Sequence, residues 1–237
     1  MQKILGYIRK ACQEFDLIED GDKIAVGVSG GKDSLVLLAG LAKMRVFFEK
    51  KYELCAISLD PRFGKKDGDY SSVERLCKEL DVHFSLIRSD IAEIVFDIRN
   101  EKNPCALCAK MRRGALHDEA KRLGCNKIAL GHNIDDVVET FLMNLFREGR
   151  VGCFAPKSYL SRKDITLIRP LVFAPENTVL STCRQSGFEV IKSPCPVDKL
   201  TERQRVKDFL DVREKEDKGF KERIFGALKR SGVDGWR

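Results

Sequence analysis

The chain has 237 residues, 43% of them hydrophobic and 33% charged, with a formal net charge of +7 and a pI near 8.9. That length is enough for a well-buried core, and the composition is that of an ordinary soluble globular protein rather than a fibrous or disordered one. No apolar run reaches the roughly 18 residues of a membrane span, Met1 to Lys10 lacks the long apolar stretch of a signal peptide, and a cytoplasmic location is expected.

In chain order, Ile4, Leu5, Ile8, Ala11, Cys12 and Phe15 fall at helical spacing. Lys23–Val28 then reads as an apolar strand and Lys32–Glu49 as a helix. Glu53–Leu59 is a second strand, and Arg62–Asp69 a glycine- and lysine-rich loop. Tyr70–Leu80 reads as a helix and His83–Ile87 as a strand. Met111–Leu123 is a helix stopped by Gly124, Lys127–Leu130 a strand and Asp135–Arg147 a helix. This alternation predicts an α/β fold with a doubly wound parallel sheet. Beyond Gly149 the texture changes. Val151–Asp164 reads as loop, Ala174–Ser186 as a helix with Pro175 in its first turn, Phe188–Ile191 as a short strand, and Thr201–Lys218 and Phe220–Lys229 as charged helices. With no repeat or clean linker, one unit is expected: an N-terminal helix over 1–20, a nucleotide-binding core over 21–150 and a C-terminal extension over 151–237.

Val28-Ser29-Gly30-Gly31-Lys32-Asp33-Ser34 joins the first strand to its helix. A strand, a glycine turn and a helix start form a phosphate cradle, because backbone N–H groups and the helix dipole converge there. Gly30 and Gly31 let the backbone approach an anion, and Lys32 adds a point charge. The spacing is not that of a Walker A loop: Gly27 to Gly31 is one residue short, and Asp33 stands where Ser or Thr should follow the lysine. Gly131-His132-Asn133-Ile134-Asp135-Asp136 marks the end of a later strand. Ligands of such sheets bind at the carboxyl ends of the strands. The adjacent carboxylates can hold Mg²⁺ against pyrophosphate oxygens or simply cap their own helix.

Nine cysteines without an export signal argue against a disulfide framework. Cys12, Cys55 and Cys77 sit in periodic apolar segments and read as core. Cys105 and Cys108 form a Cys-x-x-Cys at a helix start, where thiolates are favoured. Cys195 lies between Pro194 and Pro196. Three thiolates suit an iron–sulfur cluster with one open iron; zinc would need a fourth ligand from Cys125, Cys153, Cys183 or His117. On composition these two readings are equal.

The heptad resembles the PP-loop of the N-type ATP pyrophosphatases. Cys105-Ala-Leu-Cys108-Ala-Lys-Met-Arg112-Arg113-Gly114, the Gly131 to Asp136 segment, Arg169-Pro170-Leu171 and Pro194-Cys195 resemble, in order, the motifs of the TtcA-like tRNA 2-thiocytidine synthetases. Two departures are visible. Val197 and Asp198 stand where a second cysteine is common, and His132-Asn133-Ile134 replaces His-His-Arg. The resemblance implies an enzyme that uses ATP to adenylate the C2 carbonyl of a tRNA pyrimidine, cytidine in the first instance, and then replaces oxygen by sulfur. It implies ATP held by Val28 to Ser34 and Gly131, with Lys32, Asp33, Asp135, Asp136 and Arg112 catalytic. Mg²⁺ falls to Asp33 with Asp135 or Asp136, and a 4Fe–4S cluster to Cys105, Cys108 and Cys195. The partners implied are tRNA, a sulfur donor (sulfide or a desulfurase persulfide) and a second copy in a homodimer. A lysidine synthetase-like ligase would not need the three cysteines. A zinc-stabilised nucleotide- or RNA-binding module would release no AMP.

Overall fold

A computed structural model describes residues 1–99, 104–192, 194–195 and 202–236. Its sheet has six strands in the order β3-β2-β1-β4-β6-β5. These are β1 (Asp22–Gly27), β2 (Tyr52–Asp60), β3 (His83–Arg88), β4 (Lys127–Ala129), β5 (Lys157–Leu160) and β6 (Ile165–Ile168). All neighbours are parallel except β5, which runs antiparallel to β6 at the edge. The order reverses between β2 and β4 around β1, so the predicted doubly wound sheet is present and its switch point lies at the carboxyl end of β1.

The central strands are near-continuous apolar runs because helices cover both faces. Helices α1 (Gln2–Glu14), α2 (Lys32–Met44) and α6 (Glu176–Gln185) share the main core with α5 (Ile134–Arg147) and α8 (Phe220–Arg230). Helix α4 (Pro104–Arg122) closes the second core, where Ala120 packs with Ala25, Cys55 and Ile128. Helices α3 (Ser71–Glu79) and α7 (Glu202–Glu216) complete the set. Near the end of the chain Trp236 is fully buried; its indole N–H donates to the Phe154 carbonyl, 3.0 Å away, and its ring meets Phe15 and Phe225 edge-on.

Four expectations change. The 151–164 segment is not all loop, since β5 lies within it and pairs with the following β6. Phe188–Ile191 forms no strand; the Ile191 N–H instead donates to the Gly30 carbonyl at 3.0 Å. Pro175 is the N-cap of α6 with extended backbone, outside the first turn. Helix α4 begins at Pro104, well before Met111, so Cys105 and Cys108 are helical. A short π-helical turn at Glu93–Ile98 precedes it.

Candidate active site

The glycine loop is fixed from both sides. Its start is tied to β2, where the Val28 N–H donates to the Ile57 carbonyl at 2.8 Å and the Ser58 hydroxyl donates to the Val28 carbonyl at 2.6 Å. Its end is tied to α2, where the Ser34 hydroxyl donates to the Gly31 carbonyl at 2.9 Å. Gly30 has φ +79°, a left-handed conformation that glycine adopts without strain. A Cβ there would also lie 2.7 Å from the Ile191 side chain, so residue 191 roofs the loop. Gly131 serves a different purpose: a Cβ there would stand 3.0 Å from the Asp33 carbonyl carbon. Its lack of a side chain lets the loop after β4 press its backbone against the start of α2.

These loops floor a cleft of about 450 Å³. Val28, Ser29, Asp33, Ser34, Gly131 and Asp136 line its polar end. Ile57, Leu59, Leu116 and Leu130 give it an apolar wall, and Arg112 and Arg113 enter from α4. A polar cradle beside an apolar slot of this size suits a nucleotide, with phosphates at the helix N-terminus and the base on the wall. Among the described residues no carboxylate pairs with Arg112, whose charge is therefore available to an anion in the cleft.

The acidic residues separate into two roles. Asn133 caps α5 by accepting from the N–H groups of Asp135 and Asp136, and Asp136 answers by accepting from the Asn133 N–H at 3.0 Å. The Asn133 amide also donates to Asp33 at 2.9 Å, which joins the two loops. Burial raises the Asp136 carboxyl first, and the nearby Asp33 charge raises it further. Asp33 and Asp136 thus face a shared space. Asp135 does not line that cleft but shares an adjoining polar cavity with Asp33 and Asp136, and it accepts from the Glu176 N–H at 2.8 Å and from Lys221 at 3.1 Å. The sequence had left the two acids equivalent. Lys32 also departs from the expected pose. It lies in that adjoining cavity, of about 240 Å³, 2.8 Å from Asp33 and 3.0 Å from Glu176. Burial opposes its charge, but the two carboxylates outweigh burial and hold its pKa above the ordinary lysine value. Lys207 of α7 binds the same Glu176 at 2.7 Å, and Arg203 reaches Glu139 at 3.2 Å.

Helix α4 carries Cys105, exposed, and Cys108, half-buried, at its amino end. Burial raises the Cys108 thiol, Arg112 lowers it, and both Cys195 and Cys105 raise it. The chain therefore brings these sulfurs into one another's field beside Arg112. Three soft sulfur donors fit iron or zinc by chemistry. Among the described residues no three Cys, His, Asp or Glu side chains converge closely enough to enclose a metal ion. The fourth ligands considered for zinc are elsewhere. Cys125 packs on Cys55, Cys153 donates to the Val137 carbonyl and Cys183 is buried in α6. His117 lies nine residues along α4 from Cys108, about 13 Å of helix rise. Val197 and Asp198, where the sequence departs from the thiocytidine pattern, lie outside the described residues.

Three contributors were not singled out in the sequence. Asn133 had a usable signal, an Asn three residues before an Asp at a helix start. Ile191 and the packing of Phe154 on His132 had none, because both are contacts across the chain.

A PP-loop domain matches residues 4–212. The chain belongs to the PP-loop family. It is 37% identical over 233 residues to a tRNA-cytidine(32) 2-sulfurtransferase of Geobacter sulfurreducens, covering 96% of this chain and 89% of that protein. The corresponding protein of Syntrophotalea carbinolica is 37% identical over 230 residues, 96% of this chain and 88% of that one. Among solved structures, the U34-tRNA thiolase NcsA from Methanococcus maripaludis, with its [4Fe-4S] cluster, superposes with a TM-score of 0.74 at 27% identity, over 95% of this chain and 77% of that one. The NH3-dependent NAD synthetase of Campylobacter jejuni, at 15% identity and a TM-score of 0.52, shares the fold over 97% of this PP-loop chain and 91% of its own.

Proposed function

We propose that this PP-loop protein is an ATP-dependent tRNA sulfurtransferase that adenylates the C2 carbonyl of a tRNA pyrimidine, cytidine giving 2-thiocytidine, and replaces oxygen with sulfur. The observation that carries this reading is the placement of α4, which puts Arg112 in the wall of the nucleotide cleft and Cys105 and Cys108 one to two turns away. The similarity to tRNA-cytidine(32) 2-sulfurtransferases supports the substrate, and the likeness to the NcsA thiolase supports the cluster.

A pyrimidine C2 oxygen is amide-like and leaves poorly. In the proposed sequence that oxygen attacks the α-phosphate of ATP, pyrophosphate departs and AMP becomes the leaving group at C2. Ser29 to Ser34 and Gly131 hold the phosphates on backbone N–H groups aimed where charge develops. Asp33 and Asp136 would hold Mg²⁺, which neutralises the departing pyrophosphate. Asp135 positions α5 by anchoring it to α6 and Lys221. Arg112 meets the charge on the activated base or on a tRNA phosphate. Cys105, Cys108 and Cys195 would hold a 4Fe–4S cluster, which when bound supplies an iron with an open position for sulfur. The target base is read unstacked, since C2 is out of reach in a helix. The sulfur donor is sulfide or a desulfurase persulfide, the working form is a homodimer, and residues 1–20, 21–150 and 151–237 act as one unit.

An anaerobic reaction with tRNA, ATP, Mg²⁺ and sulfide, read by mass spectrometry of the digested nucleosides, tests the proposal. The expected product is 2-thiocytidine, dependent on ATP and lost in Cys195→Ala. Asp136→Asn should reduce AMP formation by about 100-fold or more, whereas Asp135→Asn should act mainly on stability. Full thiolation by Cys195→Ala sinks the role of the three thiols, and a lysine adduct formed when lysine is added to the reaction would move the chain to the ligases.

A further inference from the structure

Cys55 and Cys125 lie in the second core with their sulfurs 3.2 Å apart, 70 residues apart in the chain. Cys55 is on β2 opposite Ala25 of β1. Cys125 ends the turn after α4, just before Asn126, whose N–H donates to the Lys23 carbonyl. Both backbones are thus held by the sheet, and a covalent bond between the sulfurs needs only a short approach. Neither thiol belongs to the active site. Helix α4 has 19 residues, about 28 Å of rise, and places Cys105 and Cys108 at one end and Cys125 beyond the other. The pair is thus remote from Cys105 and Cys108, and neither thiol lines the cleft.

We propose that Cys55 and Cys125 are an oxidative modification site: a buried dithiol that closes to a disulfide on reaction with a hydroperoxide. Three observations support it. A cavity of about 320 Å³ is lined by Gly124, Cys125, Asn126 and Lys127, so Cys125, though only 2% exposed, is the member of the pair nearer to solvent. The Lys23 charge favours the thiolate at both sulfurs, against burial and the charges of Glu119 and Glu53. The Cys55 sulfur, which does not line that cavity, sits behind Cys125 in contact with it and is placed to resolve the oxidised sulfur.

The chemistry balances. The Cys125 thiolate attacks one peroxide oxygen, the O–O bond breaks and hydroxide leaves, giving a sulfenic acid. The Cys55 sulfur then attacks the Cys125 sulfur; the S–S bond forms, the S–O bond breaks and water leaves. The two sulfurs together lose two electrons to the peroxide oxygens, and both thiol protons end in water. The second step outcompetes further oxidation because the resolving thiol is already in contact.

The test treats the full native chain with hydrogen peroxide, unfolds it, blocks free thiols with N-ethylmaleimide and digests it without reductant. The expected result is a linked pair of peptides carrying Cys55 and Cys125, 2 Da lighter than their sum, while Cys12 and Cys77, equally buried, are blocked as free thiols. In Cys125→Ser, Cys55 should remain a free thiol at the same peroxide dose. The linked chain should also melt at a higher temperature than the reduced chain, because a 70-residue loop is closed in its unfolded state. Recovery of Cys55 and Cys125 fully blocked, with the exposed Cys105 alone oxidised, overturns the proposal. So does a Cys125→Ser chain in which Cys55 is oxidised as fast as in the parent.

Discussion

At residue scale, His132 shows how a cleft side chain is kept neutral. Its ring packs on Phe154 with centroids 4.7 Å apart, and the Arg169 guanidinium lies 4.8 Å from the same Phe154 ring. Burial first, then the charges of Arg169 and Arg203, push the imidazole down to about 3. Its Nδ1 is buried without a hydrogen-bond partner among the described residues. The linkage has a definite sign. The unfolded chain takes up a proton near pH 6.5 that the folded chain refuses, so stability falls as the pH drops from about 6.5 toward 3. At pH 5 the loss attributable to His132 should be about 2 kcal/mol, from about 1.4 kcal/mol per pH unit. Urea denaturation of the parent and of His132→Gln at pH 7 and pH 5 checks this. The parent should lose more on acidification, and equal losses would remove His132 as the cause. The Gly-His-x-x-Asp-Asp run marked this position as part of a site, but neither Phe154 nor Arg169 was recoverable from it. Phe154 lies just before β5 and Arg169 just after β6, and neither has a local tie to residue 132.

Among the elements, the chemistry rests on strand-to-helix junctions whose glycines are set by contact. Gly30→Ala combines a left-handed φ with a Cβ inside the Ile191 side chain. It should destabilise the chain by about 1–3 kcal/mol and raise the KM for ATP. Adding Ile191→Ala removes the contact but not the backbone strain, so the double variant should recover part of the loss. Strict additivity in denaturant midpoints would show that residue 191 is not the roof. The junctions themselves were readable. Val28 to Ser34 and Gly131 to Asp136 are flanked by an apolar run and a periodic helix, and both appeared where expected. What was not readable had physical reasons. Strand β5 is Lys-Ser-Tyr-Leu at a sheet edge, half-exposed, and so lacks the apolar run of the buried strands. The start of α4 at Cys105 and Cys108 was signalled, but its continuity with Met111–Leu123 was not, because the structure buries only Ala120 along that helix. Phe188–Ile191 has the composition of a strand, but its backbone is used on the glycine loop instead.

Across the whole molecule, a buried ion pair joins the two halves of the sheet. Lys127 of β4 is 2.8 Å from Asp22 of β1, and their side chains are only 4% and 3% exposed. Lys127 also donates to the Leu17 carbonyl, and Asn126 donates to Asp22 at 2.7 Å, so the group is fully hydrogen-bonded. Lys127→Met should cost about 3–5 kcal/mol, because it strands the Asp22 charge, whereas Lys127→Met with Asp22→Asn should cost clearly less. Thermal or urea unfolding of the two variants distinguishes them, and a double variant as unstable as the single would contradict the account. Sequence reading placed Lys127 at the start of a strand but had no means of seeing that it faces inward, since lysine at a strand end is ordinarily solvated. The roof over Gly30 has a different consequence, for the order of synthesis. The glycine loop and the first three strands leave the ribosome early, but β4, the β6 strand that flanks it and residue 191 follow only after more than half the chain has been made. A nascent chain therefore carries an open phosphate cradle until its last quarter emerges, and the cradle closes only when Ile191 is laid across it.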